Sequence, residues 1–217
     1  MILYPEMIYY NIHTHQSAVD PNEKAVISID LRNHSLLKPD LYYSAGIHPW
    51  YADTDKLNAL QTIAKQPHVI AIGEAGLDKC TSTPWEVQKE IFLNQIELAE
   101  NVQKPLIVHC VKAWTELITI SKIIKPTVPW IIHGFRGKRK LANQLLQAGF
   151  YLSFGIYHQP EAVHEAWSTH RLFVETDENK VGIQTVYDSI STSLAISQTT
   201  LSQEILANLQ TWPHTPF

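Results

Sequence analysis

Short apolar runs recur along this chain, many of them closing on a polar residue, and helix-periodic stretches fill most of the intervals. The runs are residues 7–12, which lead into His13 and His15; 25–30; 42–47, which lead into His48; 69–73, ending at Glu74; 106–108, ending at His109; 130–132, ending at His133; 150–154; and 172–175, followed by Asp177. Nearly every position in them is apolar, and β-branched or aromatic residues dominate. A strand wet on one face alternates apolar and polar residues. Near-continuous runs of this kind are expected for strands buried on both faces of a parallel sheet.

Helical patterns separate most of the runs. Thr83-Pro84-Trp85-Glu86 reads as a capping box with proline at the first helical position. The helix that follows, to about Val102, is expected to place Val87, Ile91, Leu98 and Val102 on one stripe. Further helices are expected over 114–124, over 138–148 with Gly149 as terminator, over 160–167, over 183–196 and over 201–209. Eight strands with helices between them predict a compact α/β fold, the (β/α)8 TIM barrel, formed as a single domain over residues 1–217. Its first two connections, 16–24 and 31–41, are too short for full helices and are expected to be turns or irregular loops. The competing architecture, an open doubly wound sheet, prefers a glycine-rich loop after its first strand. Histidines stand there instead, which favours the barrel.

The barrel turns scattered residues into a constellation, because the C-terminal ends of its strands meet at one mouth. His13 and His15, two apart on an extended strand, point to the same side. Alone, such a pair reads equally as half a metal site or as two packed or surface histidines. With Glu74, His109, His133 and Asp177 at other strand ends, six N/O ligands gather, more than one tetrahedral ion needs. They suit two divalent ions sharing a bridging carboxylate, for which Glu74 is the candidate, and a bridging hydroxide. Imidazole-rich ligation favours zinc, with manganese or magnesium as substitutes.

Composition narrows the picture further. Over 217 residues the formal net charge is -4, so no global attraction to nucleic acid or anionic membrane is expected, and phosphate recognition has to be local. Two cysteines, Cys80 and Cys110, without framework spacing suggest a reducing compartment. Neither a signal-peptide pattern nor a membrane-spanning run is visible, so a cytoplasmic location is expected.

The ordered elements Asn11-Ile12-His13-Thr14-His15, Gly46-Ile47-His48-Pro49, Ala71-Ile72-Gly73-Glu74-Ala75-Gly76-Leu77-Asp78, Leu106-Ile107-Val108-His109, His133-Gly134-Phe135-Arg136-Gly137 and Glu175-Thr176-Asp177 resemble the TatD family of metal-dependent hydrolases, amidohydrolase-like barrels described as divalent-metal DNases and related phosphoesterases. The likeness runs from about Asn11 to Asp177, and the Gly-Glu-x-Gly-Leu-Asp block is its most specific piece. The resemblance implies one ion held by His13, His15, Glu74 and Asp177, and a second held by Glu74, His109 and His133. There are departures. Asn11 stands where the family usually has Asp, Cys110-Val111 replaces a polar Ser-Arg pair, and Glu178-Asn179 replaces Ser-Pro. The ligand set survives while the substrate-facing surroundings change.

Other residues carry competing readings. His48 is expected to support a ligand or the leaving group rather than merely shape a turn. Arg136 is the expected phosphate contact, whereas Lys138, Arg139 and Lys140 read as a solvated helix start. Trp50, Tyr51 and Tyr157 are either packing residues or platforms for bases. Asp78 reads as a loop cap or as a partner of a ligand, and Cys110 as a buried small residue. His34, His68, His158, His164, His170 and His214 match no ligand position. The expected chemistry is metal-assisted hydrolysis of a phosphoester, with Asp177 as ligand and general base, on single-stranded DNA or a short oligonucleotide rather than long duplex. An amide or lactone hydrolase on the same centre, and a silent metal-binding scaffold, are the alternatives.

Overall fold

The computed structural model describes residues 7–18, 20–31 and 37–217. Eight strands follow one another in a single parallel sheet in strict sequence order: β1 (Tyr9–Thr14), β2 (Glu23–Asp30), β3 (Tyr42–Gly46), β4 (Val69–Asp78), β5 (Leu106–Val111), β6 (Trp130–Ile132), β7 (Tyr151–Phe154) and β8 (Leu172–Val174). Among the described residues seven α-helices accompany them: α1 (Leu57–Ile63), α2 (Trp85–Val102), α3 (Trp114–Ile124), α4 (Arg139–Gln147), α5 (Pro160–Ser168), α6 (Ile183–Leu194) and α7 (Gln198–Leu209). The arrangement is a nearly closed (β/α)8 barrel. Its seam is stitched beyond the end of β8, where Asp177 donates its backbone N–H to His13 O (3.1 Å) and accepts from His15 N (3.2 Å).

Burial explains the apolar runs. All ten residues of β4 are buried, and β6 and β8 are buried throughout, because helices cover one face and the barrel interior the other. A single apolar cluster runs from Ile12 and Val26 through Ile72, Val108, Ile132 and Phe173 to Val186 and Leu201. As expected, no helix occurs among the described residues of the first two connections; residues 32–36, His34 with them, lie outside the description.

Three local expectations change. β4 does not stop at Glu74 but continues to Asp78, and β5 continues past His109 to Val111. The glycines allow this. A Cβ on Gly76 would sit 1.9 Å from His109 O and one on Gly73 2.4 Å from Ile107 O, so only glycine lets β4 press on β5 beside the site. The Thr83 capping box does not form. Pro84 is the cap residue itself, and the Thr83 hydroxyl donates instead to Trp50 O at 3.0 Å. The buried face of α2 is Gln88, Ile91, Phe92, Gln95, Ile96, Leu98 and Ala99, with Val87 and Val102 only partly covered.

The two buried glutamines have a shared purpose. Gln95 accepts from Ile47 N (2.6 Å) and donates to Ile47 O (3.0 Å), while Gln88 accepts from Asp78 N (2.8 Å) and donates to Asp78 O (3.1 Å). Two turns of one helix thereby satisfy the backbone where β3 and β4 run out of strand partners. Tyr187 of α6 does the same for β1, accepting from Tyr10 N at 2.8 Å and donating to Tyr10 O at 3.2 Å.

Candidate metal centre

The site begins with His13 on β1, completely buried, and His15 one residue beyond the strand, partly exposed, with ring centroids 5.1 Å apart. Both rings face Glu74, whose backbone lies within β4. Glu74 divides its carboxylate between two groups. Its Oε2 lies 3.5 Å from His13 Nε2 and 3.3 Å from His15 Nε2. Its Oε1 lies 2.7 Å from His133 Nε2, 2.8 Å from His109 Nδ1 and 3.1 Å from His48 Nε2. Asp177 completes the first group, with Oδ1 3.7 Å from His13 Nε2 and 3.6 Å from His15 Nε2. Asp177 sits at φ 54, a left-handed conformation that Asp tolerates better than most residues. Its backbone closes the barrel seam while its side chain reaches the mouth.

Do these residues fit divalent ions? Four ligands about 2.1 Å from a tetrahedral ion stand about 3.4 Å from one another. The contacts of His13 and His15 with Glu74 Oε2 and Asp177 Oδ1 span 3.3–3.7 Å. Moreover, both ring nitrogens of the buried His13 lack a hydrogen-bond partner, which is costly unless a cation takes up a lone pair. Three His/carboxylate sets could hold an ion among the described residues: His13, His133 and Asp177; His13, His15 and Glu74; and His48, Glu74 and His109.

Hydrogen bonds sort the histidines. His133 Nδ1 is 3.3 Å from Oε1 of the fully buried Glu175, which also accepts from Gly134 N at 2.7 Å. With its proton on Nδ1, His133 turns the Nε2 lone pair inward. His109 is held the other way round, with Nε2 3.3 Å from Asp78 Oδ2 and Nδ1 inward. Carboxylate partners of this kind fix the tautomer and orientation of ligating imidazoles. His48 differs. Its Nδ1 accepts the Trp50 backbone N–H at 3.1 Å, so the proton of the neutral ring sits on Nε2, directed at Glu74. Proximity alone would make His48 a ligand; its tautomer makes it a donor.

The electrostatics describe the centre before an ion displaces the His133 Nε2 proton. Burial pushes the Glu74 carboxyl up, yet the facing His133 and the close approach of the His109, His13 and His133 imidazoles hold it well below the usual carboxylate range. Burial pulls His133 down, but Glu74 and Glu175 outweigh it and raise its pKa well above the ordinary value. His48 is lowered because burial prevails over Glu74, which keeps the ring neutral.

A cleft of about 300 Å³ opens over the centre, lined by His15, Ile29, Ile47, His48, Trp50, Tyr51, Lys56, Glu74, His109, His133, Asp177 and Glu178. Arg136 is not gathered into it. It is exposed, stacks 5.3 Å over the Tyr157 ring, and lines an adjoining depression that shares Asp177 and Glu178. Asn11 touches no ligand. It donates to Glu23 Oε1 (2.7 Å) and Thr176 Oγ1 (2.9 Å) and accepts from Thr176 N (3.2 Å), bracing the seam. Asp78 serves both roles left open for it, holding His109 and accepting from Cys80 N at 2.7 Å. Cys110 is buried, and burial pushes its thiol up to about 12, which makes it inert. Sequence reasoning assigned Glu175 no role; its signal was an acid ending an otherwise apolar run two residues before Asp177.

A parallel eight-stranded barrel with imidazoles grouped around a shared carboxylate at its mouth is a metal-site barrel by architecture and by donor chemistry. More specifically, the family described as TatD related DNase matches residues 13–208, and the chain belongs to that family. The uncharacterized metal-dependent hydrolase YabD of Bacillus subtilis is 34% identical over 148 residues, covering 63% of this chain and 58% of that protein. The 3'-5' ssDNA/RNA exonuclease TatD of Citrobacter rodentium is 32% identical over 154 residues, covering 64% and 57%. The human 3'-5' RNA nuclease TATDN2 is 34% identical over 160 residues, covering 65% of this chain and 21% of its own length. The matches therefore span less than two thirds of these relatives. The crystal structure of the TatD homolog YJJV from Escherichia coli K12 superposes with a TM-score of 0.75 at 21% identity, covering 89% of this chain and 87% of that one. The TatD family hydrolase of Entamoeba histolytica gives 0.74 at 15%, covering 96% and 99%. At such identities the structural likeness establishes the fold.

Proposed function

We propose that residues 1–217 act as one unit, a divalent-metal-dependent phosphoesterase that trims the end of a single-stranded nucleic acid. The observation that carries this is the divided carboxylate of Glu74, one oxygen facing His13 and His15 and the other facing His109 and His133. One ion would be held by His13, His15, Glu74 and Asp177, the other by Glu74, His109 and His133, with zinc favoured by the imidazole-rich donors. When bound, two such ions supply an activated water and Lewis-acid polarisation of a phosphoryl oxygen.

The chain's own groups do the rest. Asp177 takes the proton of the attacking water. His48 offers its Nε2 proton to charge developing on the phosphoryl or leaving oxygen. Arg136, outside the cleft on Tyr157, pairs with a neighbouring phosphate. A cleft of about 300 Å³ lies at the small end of ligand pockets, enough for about one nucleotide and too little for duplex. The nuclease names of the relatives from Citrobacter rodentium and human support nucleic acid as substrate. Unpaired Cys80 and Cys110 support a reducing compartment such as the cytoplasm.

The test is Asp177→Asn assayed across a zinc or manganese titration, on single-stranded oligonucleotides and on phosphomonoester, lactone and amide substrates. Asn keeps a coordinating oxygen but accepts no proton. A deficit of about 10²–10⁴-fold at saturating metal is expected on the oligonucleotide. Recovery to within a few-fold of wild type would remove Asp177 as the base. Absence of metal-dependent wild-type turnover on any substrate would leave a binding scaffold, and turnover confined to lactone or amide would replace the phosphoester reading.

A further inference from the structure

Trp50 follows His48-Pro49 on a short 3-10 turn at the mouth, and its bonds run in two directions. Inward, its indole Nε1–H donates to Asp78 Oδ2 at 2.6 Å, the same carboxylate oxygen that lies 3.3 Å from His109 Nε2. Asp78 is 2% exposed and can pivot little, because Cys80 N holds its other oxygen at 2.7 Å. Outward, the indole is 51% exposed and lines the cleft, its ring centroid 4.9 Å from His48 and 6.1 Å from His109. The Thr83 hydroxyl donates to its carbonyl at 3.0 Å, pinning the backbone beneath the ring. A large, half-exposed aromatic ring with its only polar group anchored inward is a stacking platform held at a fixed height.

We propose that Trp50 has two roles: its face stacks the base next to the scissile phosphoester, and its N–H is a positioning device that, through Asp78, aims His109 Nδ1 at the metal centre. The first role rests on the phosphoester reading of the site; the second does not. A carboxylate shared by two donors has fewer orientations than one held by a single donor. Removing the indole donor leaves Asp78 Oδ2 with His109 alone, so only the Cys80 N–H on the other oxygen restrains the carboxylate and the His109 ring gains freedom, as loss of an outer partner commonly weakens metal binding by about 10–100-fold. Base stacking on an aromatic ring adds roughly fivefold or more in affinity, whatever the base.

Substitution separates the two roles. Trp50→Phe keeps a ring and deletes the donor; Trp50→Ala deletes both; Asp78→Asn keeps the shape and removes the charge that orients His109. Zinc affinity is read by chelator competition, and the His109 environment by the visible absorption of the cobalt-substituted protein. The platform is read, at saturating zinc, as the ratio of affinities for thymidine 5'-monophosphate and for deoxyribose 5-phosphate, which differ only in the base. Trp50→Phe is expected to weaken one zinc equivalent about tenfold or more, to alter the cobalt spectrum and to keep the ratio. Asp78→Asn should do likewise, and the double variant should lose no more than the worse single one. Trp50→Ala should also bring the ratio close to one. Wild-type zinc affinity and cobalt spectrum in Trp50→Phe would overturn the positioning role. A ratio near one in the wild type, or an unchanged ratio in Trp50→Ala, would overturn the platform. If metal and ratio respond as expected while no phosphoester is turned over, the proposed activity fails and the two roles of Trp50 stand.

Discussion

At the scale of single residues, the centre works through the directions in which nitrogens and oxygens point. Four imidazoles lie within 3.5 Å of the Glu74 oxygens on one carboxylate edge or the other, and a fifth, His48, turns a protonated nitrogen toward the carboxylate instead of a lone pair. Glu74→Gln tests whether the carboxylate is shared. The amide retains one oxygen and places an N–H₂ donor against imidazole lone pairs, so both zinc equivalents should weaken by more than about tenfold, whereas His109→Ala should weaken chiefly one. Calorimetric titration of the metal-free protein reads both sites; a one-site loss in Glu74→Gln would contradict the bridge. The role of Glu175 could not be read from the chain, and for Asp78 the two alternatives could be read but not the histidine it holds. Each acts on a histidine 31 or 42 residues away, and nothing in local sequence fixes that pairing.

At the scale of elements, strands were legible and their ends were not. Apolar runs report burial on two faces, so the cores of β1 to β8 stand out. The extension of β4 past Glu74 depends on Gly73 and Gly76 fitting against β5, a contact between elements rather than a property of either. Helix α2 carries the same lesson. Its buried face includes Gln88 and Gln95, which hydrophobic periodicity treats as solvent positions. Gln95→Leu should destabilise the protein by about 1–3 kcal/mol or more, because the Ile47 N–H and C=O lose their partner inside the protein. Urea unfolding checks this, with Asn94→Ala on the exposed side of the same helix as a near-neutral control. A loss no larger than that of the control would mean that Gln95 is not what holds the Ile47 backbone, and with it the neighbouring His48, in place.

At the scale of the whole molecule, the barrel closes where the centre is built. Backbone bonds join Asp177 to His13 and His15 across the seam, and the side chains of all three face one another. Metal binding should therefore be coupled to global stability. An ion at a hundredfold its dissociation constant adds about 2.7 kcal/mol, or roughly 5–10 °C in Tm for a chain of this size. Thermal unfolding across a zinc titration, paired with elemental analysis, should show two such increments and approach two equivalents per chain. Saturation at one equivalent would contradict the two-ion centre. No helix among the described residues is long and apolar enough to cross a membrane.

The sequence by itself determined the class of fold and the set of candidate ligands. Both are written in local features, since double-sided burial leaves apolar runs and metal ligation demands particular donor side chains at strand ends. Tertiary structure decided which oxygen of Glu74 faces which histidine, that His48 is a donor, that Arg136 stands outside the cleft on Tyr157, and that Asn11 braces the seam instead of a ligand. Those outcomes rest on hydrogen bonds and approaches of a few tenths of an ångström between residues far apart in the chain. They come into being only when eight strands close on one another.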